Sequence, residues 1–182
     1  MSGAREIIRI AARGDGVTAD GEHVVGTVPG DAVEADGTLT KGPHHVEPAC
    51  RHFGICGGCQ LQHADEDMLA RFVRERVVNA AAGQDIAIGE LLPEHLSPSH
   101  SRRRASLHGH KVKGGAVIGF REAGSHRVVD LEECPVLHEA LFALIVPLRA
   151  LLADHGPKGN VDAALTLCDQ GVDLALTHFP ID

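Results

Sequence analysis

The sequence predicts an α+β fold, with a small N-terminal β-barrel, a cysteine-rich loop, and then a domain that combines a mixed antiparallel sheet with helices. Three observations predict it. Residues 1–48 hold eight glycines and no cysteine, with short apolar runs between glycine turns. Residues 49–64 hold three cysteines and no periodic apolar pattern. After residue 65, helical and alternating patterns follow one another, and 21 glycines and nine prolines in 182 residues argue against a helix bundle.

The first 48 residues predict several short strands joined by tight turns. Asp20-Gly21 and Asp36-Gly37 are dipeptides typical of hairpin turns. Short strands at this spacing favour a small barrel or a curled sheet. The strand candidates are Glu6–Ala11, His23–Val28 and Asp31–Ala35.

Residues 65–182 predict one long helix, then strands, then a second helical stretch and a last hairpin. Asp65 can cap the first helix, and Gly83 suits its end. The second helical stretch runs from about Val136 to His155, and we expect Pro147 to kink or divide it. The strand candidates are Arg104–His108, Ala116–Phe120, Arg127–Leu131, Val161–Leu167 and Val172–Thr177.

Four of the five cysteines are candidate metal ligands. Cys50, Cys56 and Cys59 lie within ten residues of a glycine-rich loop, and Cys134 follows after 74 intervening residues, directly before a proline. No secretory signal is visible, so we expect a cytoplasmic location in which thiols stay reduced. Three close cysteines and one remote Cys-Pro favour an iron–sulfur cluster over zinc, which prefers paired hooks, and unligated thiols are the third alternative. Cys168 lies in a predicted strand, where we expect a small buried apolar side chain.

The histidines near these cysteines are not expected to be ligands. A lone histidine beside such a loop is more often a surface residue or a hydrogen-bond partner of a ligand. They are His44, His45, His52 and His63.

A basic segment lies within an acidic chain. Residues 101–128 carry seven of the seventeen basic residues and one acidic residue, a charge of +6 against −14 for the rest and −8 in total. On paired strands these side chains would form one face able to hold phosphates, and the alternative is a solvated sheet face. Phe120 is the only aromatic residue there, which gives little support to base stacking. The seven basic residues are Arg102, Arg103, Arg104, Lys111, Lys113, Arg121 and Arg127.

Several segments resemble bacterial RNA uracil-5 methyltransferases, and most of all the branch that acts on 23S ribosomal RNA. The stretch from Cys50 to His63, CRHFGICGGCQLQH, resembles the iron–sulfur segment of that family. Gly14-Asp15-Gly16 and Val28-Pro29-Gly30-Asp31 resemble the TRAM module, an OB-like RNA-binding β-barrel. Further similar segments are Arg102–Ala105, Val117–His126 and Asp130–Leu137.

The resemblance implies a [4Fe-4S] cluster held by Cys50, Cys56, Cys59 and Cys134, with a role in fold integrity and RNA binding. It implies ribosomal RNA as the partner and methyl transfer from S-adenosylmethionine to C5 of uridine. The residues for which it implies RNA binding are Arg102, Arg103, Arg104, Lys111, Lys113 and Arg121. No membrane is expected, because the sequence holds no run of about 18 apolar residues.

Family members continue with a domain that binds S-adenosylmethionine and carries the nucleophilic cysteine and the base, and no G-x-G-x-x-G element is present here. We therefore expect an N-terminal portion without catalytic residues of its own, for which S-adenosylmethionine is a cofactor only together with the missing domain. Its regions are 1–48, the cluster loop 49–64 with Cys134, and the central RNA-binding region 65–182. Whether the chain is itself an enzyme stays open, as does its oligomeric state. The alternatives are a non-catalytic RNA-binding module and a zinc-stabilised interaction protein.

Overall fold

The computed structural model describes residues 3–180, which fall into two compact units. The first unit comprises residues 3–48 and 60–96, and the second comprises 49–59 and 97–180. The predicted regions 1–48 and 65–182 extend beyond these limits, and their residues 1–2 and 181–182 lie outside the described part. Each unit is built on an antiparallel sheet with one or two helices, so the predicted α+β class is confirmed. None of the helices in residues 3–180 is both long and apolar enough to cross a bilayer.

Five short strands form the sheet of the first unit, in the order β3-β2-β1-β4-β5. Ile7 of β1 and Val17 of β2 are fully buried, and a bulge lies between Ile7 and Arg9. The predicted strands correspond to β1, β3 and β4. The last two are shorter than predicted, because a turn at Gly26, which has a φ of 74°, follows β3, and a turn before Gly37, which has a φ of 86°, follows β4. The strands are β1 (Arg5–Ile10), β2 (Gly16–Thr18), β3 (His23–Val24), β4 (Ala32–Val33) and β5 (Leu39–Thr40).

The helix of the first unit, α1 (Glu66–Ala82), begins and ends where the sequence predicts. The Asp65 carboxylate accepts a hydrogen bond from the Met68 N–H at 2.8 Å, and Gly83 follows the last turn. Met68 is buried against Val28, whereas Val77 further along is exposed. The helix therefore buries apolar side chains mainly near its start.

Four strands form the sheet of the second unit, in the order β7-β6-β8-β9, with every neighbouring pair antiparallel. One face of this sheet packs against two helices, with Leu107 and Leu165 of the sheet and Leu148 and Leu152 of the second helix in the same core. The elements are β6 (Arg104–Val112), β7 (Gly115–Gly119), α2 (Glu139–Phe142), α3 (Ile145–His155), β8 (Val161–Cys168) and β9 (Gly171–Thr177).

The predicted helical stretch from Val136 to His155 is divided into α2 and α3. Pro147 lies in the first turn of α3, where its missing N–H leaves no helical hydrogen bond unmade.

The strand predicted over Arg127–Leu131 does not form. This segment runs beside β7 and donates from Val129 N–H to the Phe120 carbonyl at 2.8 Å. The Asp130 carboxylate accepts from the Ile118 N–H, so a side chain takes part in the pairing and interrupts the ladder.

The expectation that Cys168 is buried is wrong, because its side chain is exposed. Cys168 ends β8 opposite Gly171, the first residue of β9, so it lies at the hairpin turn and outside the core.

Candidate functional site

The cysteine loop, residues 49–59, belongs to the second unit and is folded by its own backbone. The Cys56 N–H donates to the His52 carbonyl at 2.8 Å, and the Phe53 N–H donates to the Cys50 carbonyl at 3.0 Å. The Gly57 N–H then donates to the Arg121 carbonyl at 2.8 Å, which attaches the loop to the segment that follows β7. The loop is thus held against the sheet that carries the basic segment.

Two glycines let the loop lie close to this segment. A Cβ on Gly57 would stand 3.0 Å from the Arg121 carbonyl oxygen. A Cβ on Gly58 would stand 3.2 Å from the Phe120 ring and 3.4 Å from the Cys56 sulfur. The Gly58 N–H also donates to that sulfur at 3.4 Å, an N–H···S contact of the kind that tunes metal–sulfur centres.

The three loop cysteines and Cys134 are electrostatic neighbours. All four are half-buried, and burial raises the pKa of the Cys50 and Cys56 thiols. In both cases the charge of Cys134 raises the pKa further, although 74 residues separate it from Cys59. Within residues 3–180, however, no group of three or more His, Cys, Asp or Glu side chains is arranged so that it could hold a metal ion. The thiols are therefore adjacent without forming a ligand set.

An ion-pair cluster joins the loop to the residues just before Cys134. The Arg51 N–H donates to Glu133 Oε1 at 2.5 Å, and Arg51 Nη1 donates to Glu132 Oε2 at 2.7 Å. Arg51 Nε lies 3.2 Å from Glu133 Oε2, and the Glu132 N–H donates to His52 Nε2, also at 3.2 Å. The hydrogen bond from the Arg51 N–H is the main cause that lowers the pKa of Glu133, and the positive charge of the Arg51 side chain lowers it further. The sequence analysis missed this cluster, although the Glu132-Glu133-Cys134 run signals it.

A cavity of about 410 Å³ adjoins Cys134 in the second unit. Pro135 and Phe142 give it apolar walls, and Glu133 and Glu139 add carboxylates to its lining. One side of Cys134 therefore faces an open, largely apolar space.

The candidate RNA-binding residues do not share one face of the second sheet. Ala105, Leu107 and Gly109 of β6 lie on the core side of the sheet. Because neighbouring residues of a strand alternate between its two faces, Arg104 lies on the opposite face, which no helix of residues 3–180 covers. Lys111 lies on the helix side, where its Nζ donates to the Asp154 carbonyl of α3 at 3.3 Å.

The other four candidates lie at the ends of strands or in turns. Arg102 Nη1 donates to the Gly58 carbonyl at 3.4 Å, so this arginine contacts the cysteine loop. Arg103 Nη2 donates to the Leu167 carbonyl at 3.3 Å. Arg121 Nη1 lies 3.5 Å from His126 Nδ1, and Lys113 lies in the turn between β6 and β7. The single basic face expected from the sequence is therefore divided.

The uncovered face of the sheet also carries histidines that the sequence analysis did not single out. His108 Nδ1 lies 2.6 Å from Asp162 Oδ1, and His178 Nδ1 lies 3.8 Å from the other carboxylate oxygen. The His108 hydrogen bond is the main cause that lowers the pKa of Asp162, and the Arg121 charge adds to it. The spacing of Arg104, His108 and His110 at even intervals in one strand is the signal that places them on a common face.

No family model matches the chain. Its sequence is similar, however, to those of several named proteins. An uncharacterized RNA methyltransferase of Zymomonas mobilis is 42% identical over 178 residues, which cover 97% of this chain and 45% of that protein. One of Brucella suis is 36% identical, over 96% of this chain and 45% of its own length. A 23S rRNA (uracil(1939)-C(5))-methyltransferase of Pectobacterium carotovorum is 32% identical, over 92% and 40%. The chain thus spans less than half the length of these relatives.

Proposed function

Because this chain belongs to the bacterial RNA methyltransferase family, we propose that it is the part of such an enzyme that binds RNA and carries a [4Fe-4S] cluster. The proposed substrate is uridine of 23S ribosomal RNA, methylated at C5, as the name of the Pectobacterium relative suggests. The S-adenosylmethionine site and the nucleophile are proposed to lie in the part of the family's proteins that this chain does not span. The observation that carries the proposal is the attachment of the segment just before Cys134 to the cysteine loop, through the contacts of Arg51 and His52 with Glu132 and Glu133.

Two features support the proposal of a cluster, although the thiols are not arranged as a ligand set in this structure. The four cysteines are half-buried and lie within range of one another's charge, and Gly58, which has no side chain, leaves space beside the Cys56 sulfur. In the proposed complex Cys50, Cys56, Cys59 and Cys134 would hold the cluster. When bound, the cluster would join the loop to the Cys134 segment and so support the fold, and it supplies no step of methyl transfer.

The free thiols would resist ionisation until the metal arrives. Burial and mutual repulsion raise the pKa of Cys50 and Cys56, so these thiols carry their protons at neutral pH. Ligation needs thiolates, so cluster assembly would release protons. The reduced state that this chemistry requires is the one maintained in the cytoplasm.

RNA binding would rest on charge more than on stacking. Arg104 and Arg121 provide cations on or next to the uncovered sheet face, inside a segment of net charge +6. Cations on an open sheet face can contact successive phosphates of a strand. The five-stranded sheet of the first unit is proposed to be the TRAM-like, OB-like module, which would add a second surface for RNA.

Anaerobic purification tests the cluster. We expect a brown protein with about four irons per chain, as a four-cysteine cubane requires. Cys134→Ser should lower the iron content, while Cys168→Ser, at an exposed position outside the proposed set, should keep it. A colourless protein loaded with zinc would contradict the cluster and favour a zinc-stabilised protein. Binding of an RNA oligonucleotide that does not weaken with salt would contradict the RNA-binding surface.

A further inference from the structure

We propose that Arg51 positions the fourth thiol of the cluster, by clamping the cysteine loop to the acidic pair Glu132 and Glu133. This inference rests on the proposed function, because it concerns how the four cysteines are brought together. Arg51 directly follows Cys50, and Glu133 directly precedes Cys134. A clamp between these two residues therefore joins the backbone next to one proposed ligand to the backbone next to another.

The contacts are numerous enough to fix the two segments in register. Arg51 uses its backbone N–H, its Nε and its Nη1 on the two carboxylates, at 2.5, 3.2 and 2.7 Å. The Glu132 N–H returns a hydrogen bond to His52 Nε2 at 3.2 Å. A guanidinium that contacts two carboxylates limits both the distance and the rotation between the segments, which a single ion pair does not.

The clamp contributes little to the free energy of unfolding. Its proposed effects are on the position of the Cys134 segment and on the charge beside the cluster. The side chains of Arg51 and Glu132 are 60% and 63% exposed, and exposed ion pairs add little to the free energy of unfolding. Four thiolates beside two carboxylates would repel one another strongly, and Arg51 is the cation that contacts both carboxylates. Its loss would therefore free the Cys134 segment and leave more negative charge beside the cluster.

The first test reconstitutes the full 182-residue chain anaerobically with ferrous iron and sulfide. We expect Arg51→Ala to bind fewer irons than the unaltered chain, to give the paramagnetic signature of a three-iron cluster, and to shift any remaining four-iron potential to more negative values. Arg51→Lys keeps the positive charge but loses the planar guanidinium that contacts both carboxylates. It should therefore restore the reduction potential more than the iron content. Arg103→Ala is the matched control, since Arg103 is 58% exposed and pairs with Asp169 at 3.9 Å in the same unit.

The second test needs no cluster. In a metal-free chain with Cys56, Cys59 and Cys168 replaced by serine, a short thiol-to-thiol cross-linker should join Cys50 to Cys134. Arg51→Ala should lower this yield several-fold, while its thermal midpoint stays within about 4 °C of the parent chain. Arg103→Ala should leave the yield unchanged.

The outcomes separate the two proposals. If Arg51→Ala keeps the full iron content, potential and cross-linking yield, the clamp is overturned and the cluster stands. If the unaltered chain takes up no iron–sulfur cluster, the cluster proposal fails, and the inference about Arg51 fails with it. If the cross-linking yield falls only in step with a large loss of thermal stability, Arg51 has a merely structural role, and the inference is again overturned.

Discussion

The buried carboxylate of Asp31 shows how one side chain can organise a turn. Asp31 is fully buried and accepts hydrogen bonds from the Val28 N–H at 2.9 Å, the Gly42 N–H at 2.7 Å and His45 Nδ1 at 2.8 Å. A buried carboxylate is tolerated only with such partners, since an unpaired one costs several kcal/mol. The Val28–Asp31 turn and the following chain are therefore held from one central residue.

We expect Asp31→Ala to destabilise the first unit by about 3–5 kcal/mol, because two backbone N–H groups and a buried histidine lose their acceptor. Chemical denaturation followed by circular dichroism measures this. Asp36→Ala is the control, since Asp36 is also a turn residue that accepts a backbone N–H, from Thr38, but is exposed. Equal losses in the two variants would contradict a special role for the buried carboxylate.

His63 gives the first unit a predictable dependence on pH. Its side chain is buried, and burial lowers its pKa, against a hydrogen bond to the Thr27 backbone that raises it. Below about pH 6.5 the unfolded chain therefore takes up a proton that folded His63 refuses. The contribution of neutral His63 to the free energy of unfolding is fully present above this pH. It falls as the pH drops toward the folded pKa, by at most about 1.4 kcal/mol per pH unit.

Thermal midpoints between about pH 5 and about pH 8 measure this fall, which spans the usual titration range of histidine. His63→Gln should flatten the dependence. A profile that keeps its slope in His63→Gln would show that another group is responsible.

Among the elements, β7 shows how closely an irregular segment can lie beside a strand. Gly119 ends β7, and a Cβ there would overlap the Val129 carbonyl oxygen and stand 2.8 Å from Leu131 Cγ. The segment from Val129 to Leu131 thus lies closer to β7 than a residue with a side chain at position 119 would allow.

We expect Gly119→Ala to destabilise the second unit by about 1–3 kcal/mol or more, because the backbone at Val129 must move to admit the methyl group. Gly115→Ala, at the other end of the same strand, is the matched control, since a Cβ there meets nothing within 4 Å. Urea denaturation of both variants measures the difference. A Gly119→Ala chain as stable as Gly115→Ala would show that the close approach is not needed.

Elements whose signals are local could be predicted from the sequence, and those whose partners are remote could not. The Asp65 cap and the Gly83 end of α1 depend on residues within one turn, and both were predicted. The exposure of Val77 depends on what packs against the helix, which periodicity does not contain. The hairpin of β8 and β9 was predicted from alternation, but the exposed place of Cys168 follows from its position at the end of the pairing.

At the scale of the whole molecule, the sequence predicts where charge is concentrated along the chain but not how it is shared between faces. The +6 segment is visible from composition, yet its residues are divided by the alternation of β6 and by the turns around it. The grouping of Cys134 with the loop cysteines was predicted from their layout and from the resemblance. It could not come from a local pattern, because Cys59 and Cys134 are 75 positions apart in the chain.

This division of charge leads to a prediction that separates the two sheet faces. Arg104 lies on the uncovered face, whereas Lys111 is on the helix side and donates to the Asp154 carbonyl. We expect Arg104→Ala to weaken binding of a labelled single-stranded RNA and to reduce the slope of affinity against salt by about one, as the loss of one phosphate contact does. Lys111→Ala removes the same charge and should change both much less. Fluorescence anisotropy titrations at several salt concentrations measure both quantities. Equal effects would mean that RNA responds to the net charge of the segment, and only unequal effects would assign the uncovered face as its binding surface.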